Sequence, residues 1–193
     1  MESGSIPPRP APPAQGPPLL VVNDQRFSQH LENVFHLENA KRVRAFDRVL
    51  SDPQIKGKWL AVPPRMASEQ ELAWVHTPAH IASVAQTSGQ PLTSFDLDTQ
   101  TSEMSYEVAR LAAGRVFALL EAVWANQAKQ GFAFVRPPGH HAEPDRAMGF
   151  CLFNNVALGA RYCQERLRAE KVMILDIDVH HGDGTQAAFY DTD

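Results

Sequence analysis

Val172-Met173-Ile174-Leu175-Asp176-Ile177-Asp178-Val179-His180-His181-Gly182-Asp183-Gly184 is the stretch that decides how this chain is read. Val172 to Leu175 is an apolar run without polar alternation, the pattern of a strand covered on both faces in a parallel sheet. Carboxylates then enter the run. In an extended chain Asp176, Asp178 and His180 share one face, while Ile177 and Val179 point to the other. Gly182 and Gly184 end the strand, with Asp183 between them. Open α/β sheets bind ligands at the carboxyl ends of their strands, which is where this cluster falls.

Two carboxylates in an apolar strand are costly to bury without partners. Salt-bridged or capping aspartates would meet that need, so the stretch alone does not define a site. A second cluster does. Arg136-Pro137-Pro138-Gly139-His140-His141-Ala142 follows another apolar run, Phe132 to Val135. Two neighbouring strands then each deliver Asp or His at their ends, which reads as a metal hydrolase centre. Asp178 and His180 are the expected metal ligands; Zn²⁺ suits them, and Fe²⁺ or Mn²⁺ would also accept the pair. Asp176 and Asp183 are expected to accept Nδ1–H bonds from His140 and His141, giving two dyads that face one metal. The chemistry that follows is amide hydrolysis, with a histidine taking a proton from water and returning one to the leaving amine.

Outward from these clusters the chain alternates strand and helix signals. Leu19 to Val22 is a strand candidate, and Asn23-Asp24 a turn. Asn39 can cap a helix from about Ala40 to Leu50, with Val43, Phe46, Val49 and Leu50 on one face. Ser68-Glu69-Gln70-Glu71 is a capping box, and Thr77-Pro78 opens a further helix. Gly89 to Gln100 reads as loop. Thr101 or Ser102 can cap the longest helix, about Glu103 to Lys129, with Gly131 just past its end. Asn154 or Asn155 caps a helix with Val156, Ala160, Cys163 and Leu167 inward. That helix joins the Phe132 and Val172 strands in a parallel βαβ unit. A short helix near Thr185 to Tyr190 closes the chain.

Residues 1–18 carry Pro7, Pro8, Pro10, Pro12, Pro13, Pro17 and Pro18 and read as an extended, disordered tail. Residues 19–193 are long enough for one domain with a real core. A net charge of −4 offers no basic field for nucleic acid or an anionic membrane. The two cysteines, Cys151 and Cys163, have no CxxC spacing, which fits a reducing cytoplasm and leaves a nuclear location open. No apolar run approaches the ~20 residues of a membrane span.

Arg136 to Ala142, Gly149-Phe150-Cys151, Asn154-Asn155 and Asp176 to Gly184 together resemble the zinc-dependent histone deacetylase superfamily, closest to its class II-like and bacterial deacetylase or acetylpolyamine amidohydrolase members. Glu38-Asn39-Ala40-Lys41-Arg42 resembles an early segment of the same family. The resemblance runs from about Val21 to Asp193. It implies an arginase/deacetylase-like, three-layer α/β fold with a mainly parallel sheet. It also implies removal of acetyl groups from acetyl-lysine or acetylpolyamine amines. It makes Asp178 and His180 zinc ligands, His141 the general base and acid, His140 its electrostatic partner, and Asp176 and Asp183 the dyad acids. Gly149 and Phe150 become walls of an acyl-lysine tunnel. One structural potassium site would use Asp176 with the carbonyls of Asp178 and His180; a second would use those of Phe189 and Thr192.

The family pattern also holds a second aspartate ligand and an oxyanion-steadying tyrosine further on, and Tyr106, Tyr162 and Tyr190 lack that tyrosine's loop context. The expectation is therefore the N-terminal part of a deacetylase domain, with its sheet incomplete at the C-terminal side and the isolated chain inactive. The Val172 strand would then leave an apolar edge prone to association, giving a possible homo-oligomer. Three competing readings stand beside it. One is a non-catalytic interaction module; the second is a cysteine hydrolase using Cys151 near His141; the third is an arginase-like manganese hydrolase, against which the His140-His141 pair before the Asp176 to His180 stretch argues.

Overall fold

The computed structural model describes residues 19–192. The proline-rich stretch 1–18, expected as a tail, lies outside the described residues. The sheet is built around β1 (Leu20–Val22), whose three side chains are all buried. It pairs in parallel on both edges, with β2 (Leu60–Ala61) and β5 (Gly131–Ala133), in the order β2-β1-β5. A strand paired on both sides and covered on both faces needs no polar alternation, and Leu20-Val21-Val22 has none.

α4 (Ser105–Trp124) is the wall shared by two cores. Leu111, Ala112 and Leu119 pack with Leu20 and Val22 of the sheet. Ala109, Ala113 and Phe117 pack with Leu152, Phe153, Leu158 and Tyr162, the last two carried by α5 (Asn155–Glu165). Among the described residues three further α-helices precede α4: α1 (Lys41–Ser51), α2 (Glu69–Leu72) and α3 (Pro78–Ala85). The capping box at Ser68 forms in both directions, with Glu71 N–H on Ser68 Oγ and Ser68 N–H on Glu71 Oε2. Thr77 caps α3 with Pro78 in its first turn. α6 (Asp183–Phe189) ends the fold. No helix of the described residues is long and apolar enough to cross a membrane.

Several expectations need correction. α4 starts after Met104, with no side-chain cap from Thr101 or Ser102, and it stops at Trp124. Asn126 then takes a φ of +57°, a conformation asparagine tolerates, which breaks the helix although the apolar pattern runs on through Ala128. Gly131 opens β5 rather than closing the helix. The stretch expected as loop at 89–100 contains a hairpin strand, β3 (Thr93–Ser94), paired antiparallel with β4 (Gln100–Thr101). Val49 and Val156, expected inward, are 48% and 41% exposed.

The largest correction concerns Val172 to Val179. The segment is not a buried strand: it pairs in no sheet among the described residues, and Met173, Leu175, Ile177 and Val179 are 78–92% exposed. The expected parallel βαβ pairing with β5 is therefore absent among the described residues. Local chemistry contributes to this. Asp176 Oδ1 accepts the Asp178 N–H at 3.0 Å and Asp178 Oδ1 accepts the His180 N–H at 2.9 Å. Each aspartate thus ties up a backbone donor two residues on, in competition with a sheet ladder.

Candidate active site

The site is assembled where the loop after β5 meets the segment that leads into α6. Pro137 to Ala142 is fixed from below. Arg136 is buried at 2% exposure, and its guanidinium donates to Glu38 and to the carbonyls of Phe27, His30 and Glu38. Asn155 Nδ2 donates to the Pro137 carbonyl at 3.0 Å. Asn154 caps α5 through Ala157 N–H and also donates to the Ala142 carbonyl and to Thr185 Oγ1 in α6. Its own N–H donates to His76 Nε2 at 2.9 Å, and His76 Nδ1–H in turn donates to the Glu143 carbonyl. One asparagine therefore ties the histidine loop, α5 and α6 together.

On this base the two expected dyads form. His140 Nδ1 lies 2.9 Å from Asp176 Oδ2, and His141 Nδ1 lies 2.6 Å from Asp183 Oδ1. The acceptor at each Nδ1 assigns the proton there, which leaves Nε2 as the free basic nitrogen. Among the described residues neither Nε2 has a protein partner. The two imidazoles stand 4.0 Å apart between ring centroids. Gly182 lets the Asp176 side come close: a Cβ there would sit 2.6 Å from Asp176 Oδ2. Asp176 is held below the usual carboxylate range by the Asp178 amide and the His140 ring. Burial works to raise Asp183, but the His141 ring and the Gly184 amide outweigh it and the carboxyl is lowered.

Asp178 and His180 sit beside the dyads, with His180 Nδ1 2.9 Å from Asp178 Oδ1 and the His180 ring 6.0 Å from that of His141. Asp178 is lowered by the His180 amide and then the His180 ring. A carboxylate oxygen and an imidazole nitrogen side by side are donor types that zinc takes, and they would make up two of the four ligands of a tetrahedral site. Among the described residues no group of three His, Cys, Asp or Glu is placed to hold a metal. The residues therefore fit the ion as part of a ligand set. Of the expected potassium donors, the Phe189 carbonyl already accepts from both the N–H and the hydroxyl of Thr192.

Met148 to Cys151 form a tight turn, with Met148 and Cys151 exchanging both backbone bonds at 3.2 and 2.9 Å. Its two central residues, Gly149 and Phe150, have φ of +56° and +68°. Glycine is needed at the first: a Cβ there would lie 2.5 Å from His141 Cδ2. The turn thus rests directly on the His141 ring. Cys151 is fully buried, donates to the Gly149 carbonyl, and its thiol is pushed up to about 12 by burial. A thiol so placed is not an accessible nucleophile, which argues against the cysteine-hydrolase reading. Tyr106 and Tyr162 are tied to Glu69 and Glu121, and Tyr190 is exposed at the end of α6.

Sequence patterns alone did not single out His76, His36 or Thr99. Each acts through a contact distant in the chain, and Asn154 was legible as a cap and as part of the resemblance, not as a tie between the histidine loop and α6.

An α/β frame carrying two adjacent imidazole–carboxylate pairs is an arrangement suited to acid–base chemistry. Comparison with known proteins narrows that reading. Residues 36–193 match the histone deacetylase domain. The chain is 42% identical over 180 residues to a histone deacetylase-like amidohydrolase of Pseudomonas aeruginosa, covering 93% of this chain and 47% of that protein. It is 40% identical over 135 residues to the polyamine deacetylase HDAC10 of Danio rerio, covering 67% of this chain and 20% of that one. The crystal structure of the HDA15 HD domain superposes with a TM-score of 0.85 at 41% identity, over 89% of this chain and 50% of that chain. The chain belongs to the histone deacetylase family, and its α/β fold is that family's. It spans half or less of the length of the curated relatives it matches, 28% and 50% for two of them.

Proposed function

We propose that this chain carries the acid–base half of a metal-dependent deacetylase centre, acting on N-acetyl groups of lysine or polyamine amines. The observation that carries the reading is the pair of Asp–His dyads, His140 with Asp176 and His141 with Asp183, packed ring against ring. His141 Nε2, left free because Asp183 engages the opposite nitrogen, takes a proton from the attacking water and delivers one to the leaving amine. His140, oriented the same way by Asp176, steadies charge beside it. Asp178 and His180 would hold zinc, which when bound would polarise the acetyl carbonyl and acidify water. Gly149 and Phe150 wall the approach to His141. The names of the amidohydrolase and polyamine deacetylase relatives support acetylated amines as the substrate class.

With only two metal donors converging among the described residues, zinc is held weakly and turnover by the isolated chain is slow. The test is acetate release from an N-acetyl-lysine peptide and from an N-acetylated diamine, with zinc and with chelator. The reading requires slow, chelator-sensitive release that His141→Ala abolishes. Release indifferent to His141→Ala would overturn it. The exposed apolar side chains of 172–179 favour a second reading, a non-catalytic interaction module, which would bind partners without releasing acetate.

A further inference from the structure

Phe150 has a backbone that a bulky side chain rarely adopts. Its φ of +68° puts it in the left-handed region, at the second central position of a turn whose first is Gly149. A non-glycine residue persists there only where its surroundings over-determine it. Two residues from separate parts of the chain do so. Thr99, fully buried in the loop between β3 and β4, accepts the Phe150 N–H on Oγ1 at 3.1 Å. That amide sits mid-turn, where the turn itself offers it no acceptor. The Thr99 hydroxyl is aimed by its own bond to Asp98 Oδ1, and its backbone N–H is held by Asp96 Oδ1 at 2.6 Å.

His36 supplies the second hold. Its ring meets the Phe150 ring edge-on, with centroids 5.1 Å apart. His36 Nδ1 lies 3.1 Å from the Glu38 backbone nitrogen and 3.0 Å from the Glu38 carbonyl oxygen, and Nε2 lies 2.9 Å from the Asp98 carbonyl oxygen. His36 is therefore fixed at both nitrogens, between the segment that carries Glu38 and the hairpin that carries Thr99. Glu38 is itself locked to Arg136, four residues before His140. The chain of contacts runs from the base of the histidine loop, around His36 and the hairpin, and back onto the turn that lies on His141.

We propose that His36 and Thr99 are positioning residues that hold the Gly149–Phe150 turn against the His141 imidazole. They touch neither the dyads nor the metal donors; they act through Phe150. The consequence for catalysis rests on the role given to His141 above, whereas the contacts stand without it.

The test is residue-resolved amide exchange and histidine ring-proton spectra of the whole chain, as wild type, Thr99→Val, Thr99→Ser and His36→Ala. Thr99→Val keeps the shape and removes the acceptor; Thr99→Ser keeps the acceptor. The expected result is at least tenfold faster exchange of the Phe150 N–H in Thr99→Val and a shift of the His141 ring signals. Core amides such as Phe117 and Leu158 should be unchanged, and Thr99→Ser should return both readings to near wild type. His36→Ala should move the His141 signals with Thr99 intact. The proposal is overturned if Phe150 exchange is unaltered by Thr99→Val, if serine fails to rescue, or if protection is lost evenly across the core. Absence of acetate release in a wild-type chain showing these signatures would count against the hydrolase reading and leave the clamp standing.

Discussion

The Arg136 Nε–H is shared between the two carboxylate oxygens of Glu38, at 2.9 and 2.7 Å, with both residues buried. This pair joins the segment after β1 to the start of the histidine loop. Removing one partner of a buried ion pair strands the other charge and costs about 3–5 kcal/mol. Arg136→Met alone and Glu38→Gln alone should each lower unfolding free energy by an amount in that range. The double variant should cost less than the two single losses added together. Urea denaturation of the four proteins checks this; strict additivity would contradict it.

Buried histidines make the fold sensitive to acid. Burial, then the neighbouring His80, lower the folded-state pKa of His76 to about 3, and burial and Arg136 hold His30 well below its ordinary value. His30 Nε2 is 3.9 Å from Glu38, but that carboxylate is already engaged by Arg136 and does not rescue the charge. Above about pH 6.5 these rings are neutral folded or unfolded and contribute no pH dependence. Below it the unfolded chain takes up protons that the folded chain refuses, so stability falls with pH. The slope per refused proton is about 1.4 kcal/mol per pH unit. Denaturation midpoints should drop between pH 7 and 5, and His76→Gln should flatten the fall.

Asp183 sets which His141 nitrogen carries the proton. Asp183→Asn leaves the shape but permits the wrong tautomer. Nitrogen chemical shifts should report the Nδ1–H form at His141 in the wild type and a mixture in the variant. Any acetate release should fall by up to roughly 10⁴-fold, the scale of tautomer loss in a Ser-His-Asp hydrolase. An unchanged tautomer would contradict the dyad's role.

Ile177 and Val179, at 90% and 92% exposure, lie on a segment without a strand partner among the described residues. Exposed apolar backbone of this kind promotes association. Sedimentation should show concentration-dependent self-association that Ile177→Lys with Val179→Lys reduces. A monomer at all concentrations would contradict it.

Much of the site was legible because its chemistry is local. His140-His141 and Asp176 to Asp183 each cluster within a few residues, and their pairing follows from two loops facing each other. Helix starts at Ser68 and Thr77 were legible for the same reason: a cap is a short-range signal. The environment of Val172 to Val179 was not. An apolar run states that a segment needs cover, not that cover is present, and Asp176 and Asp178 redirect its backbone donors. The end of α4 was lost to Ala125 and Ala128, which extend the pattern past a left-handed Asn126. His36 and Thr99 gave no signal because their partners lie 62 and 51 residues away.

Cobalt(II) titration followed by proton spectra of the histidine rings tests the central claim most directly, that the dyads and the Asp178–His180 pair face one ion site. The expected result is large paramagnetic shifts at His140, His141 and His180 together, lost in both Asp178→Ala and His180→Ala. Cobalt binding that leaves the His140 and His141 signals unmoved, or that survives both substitutions, would contradict it.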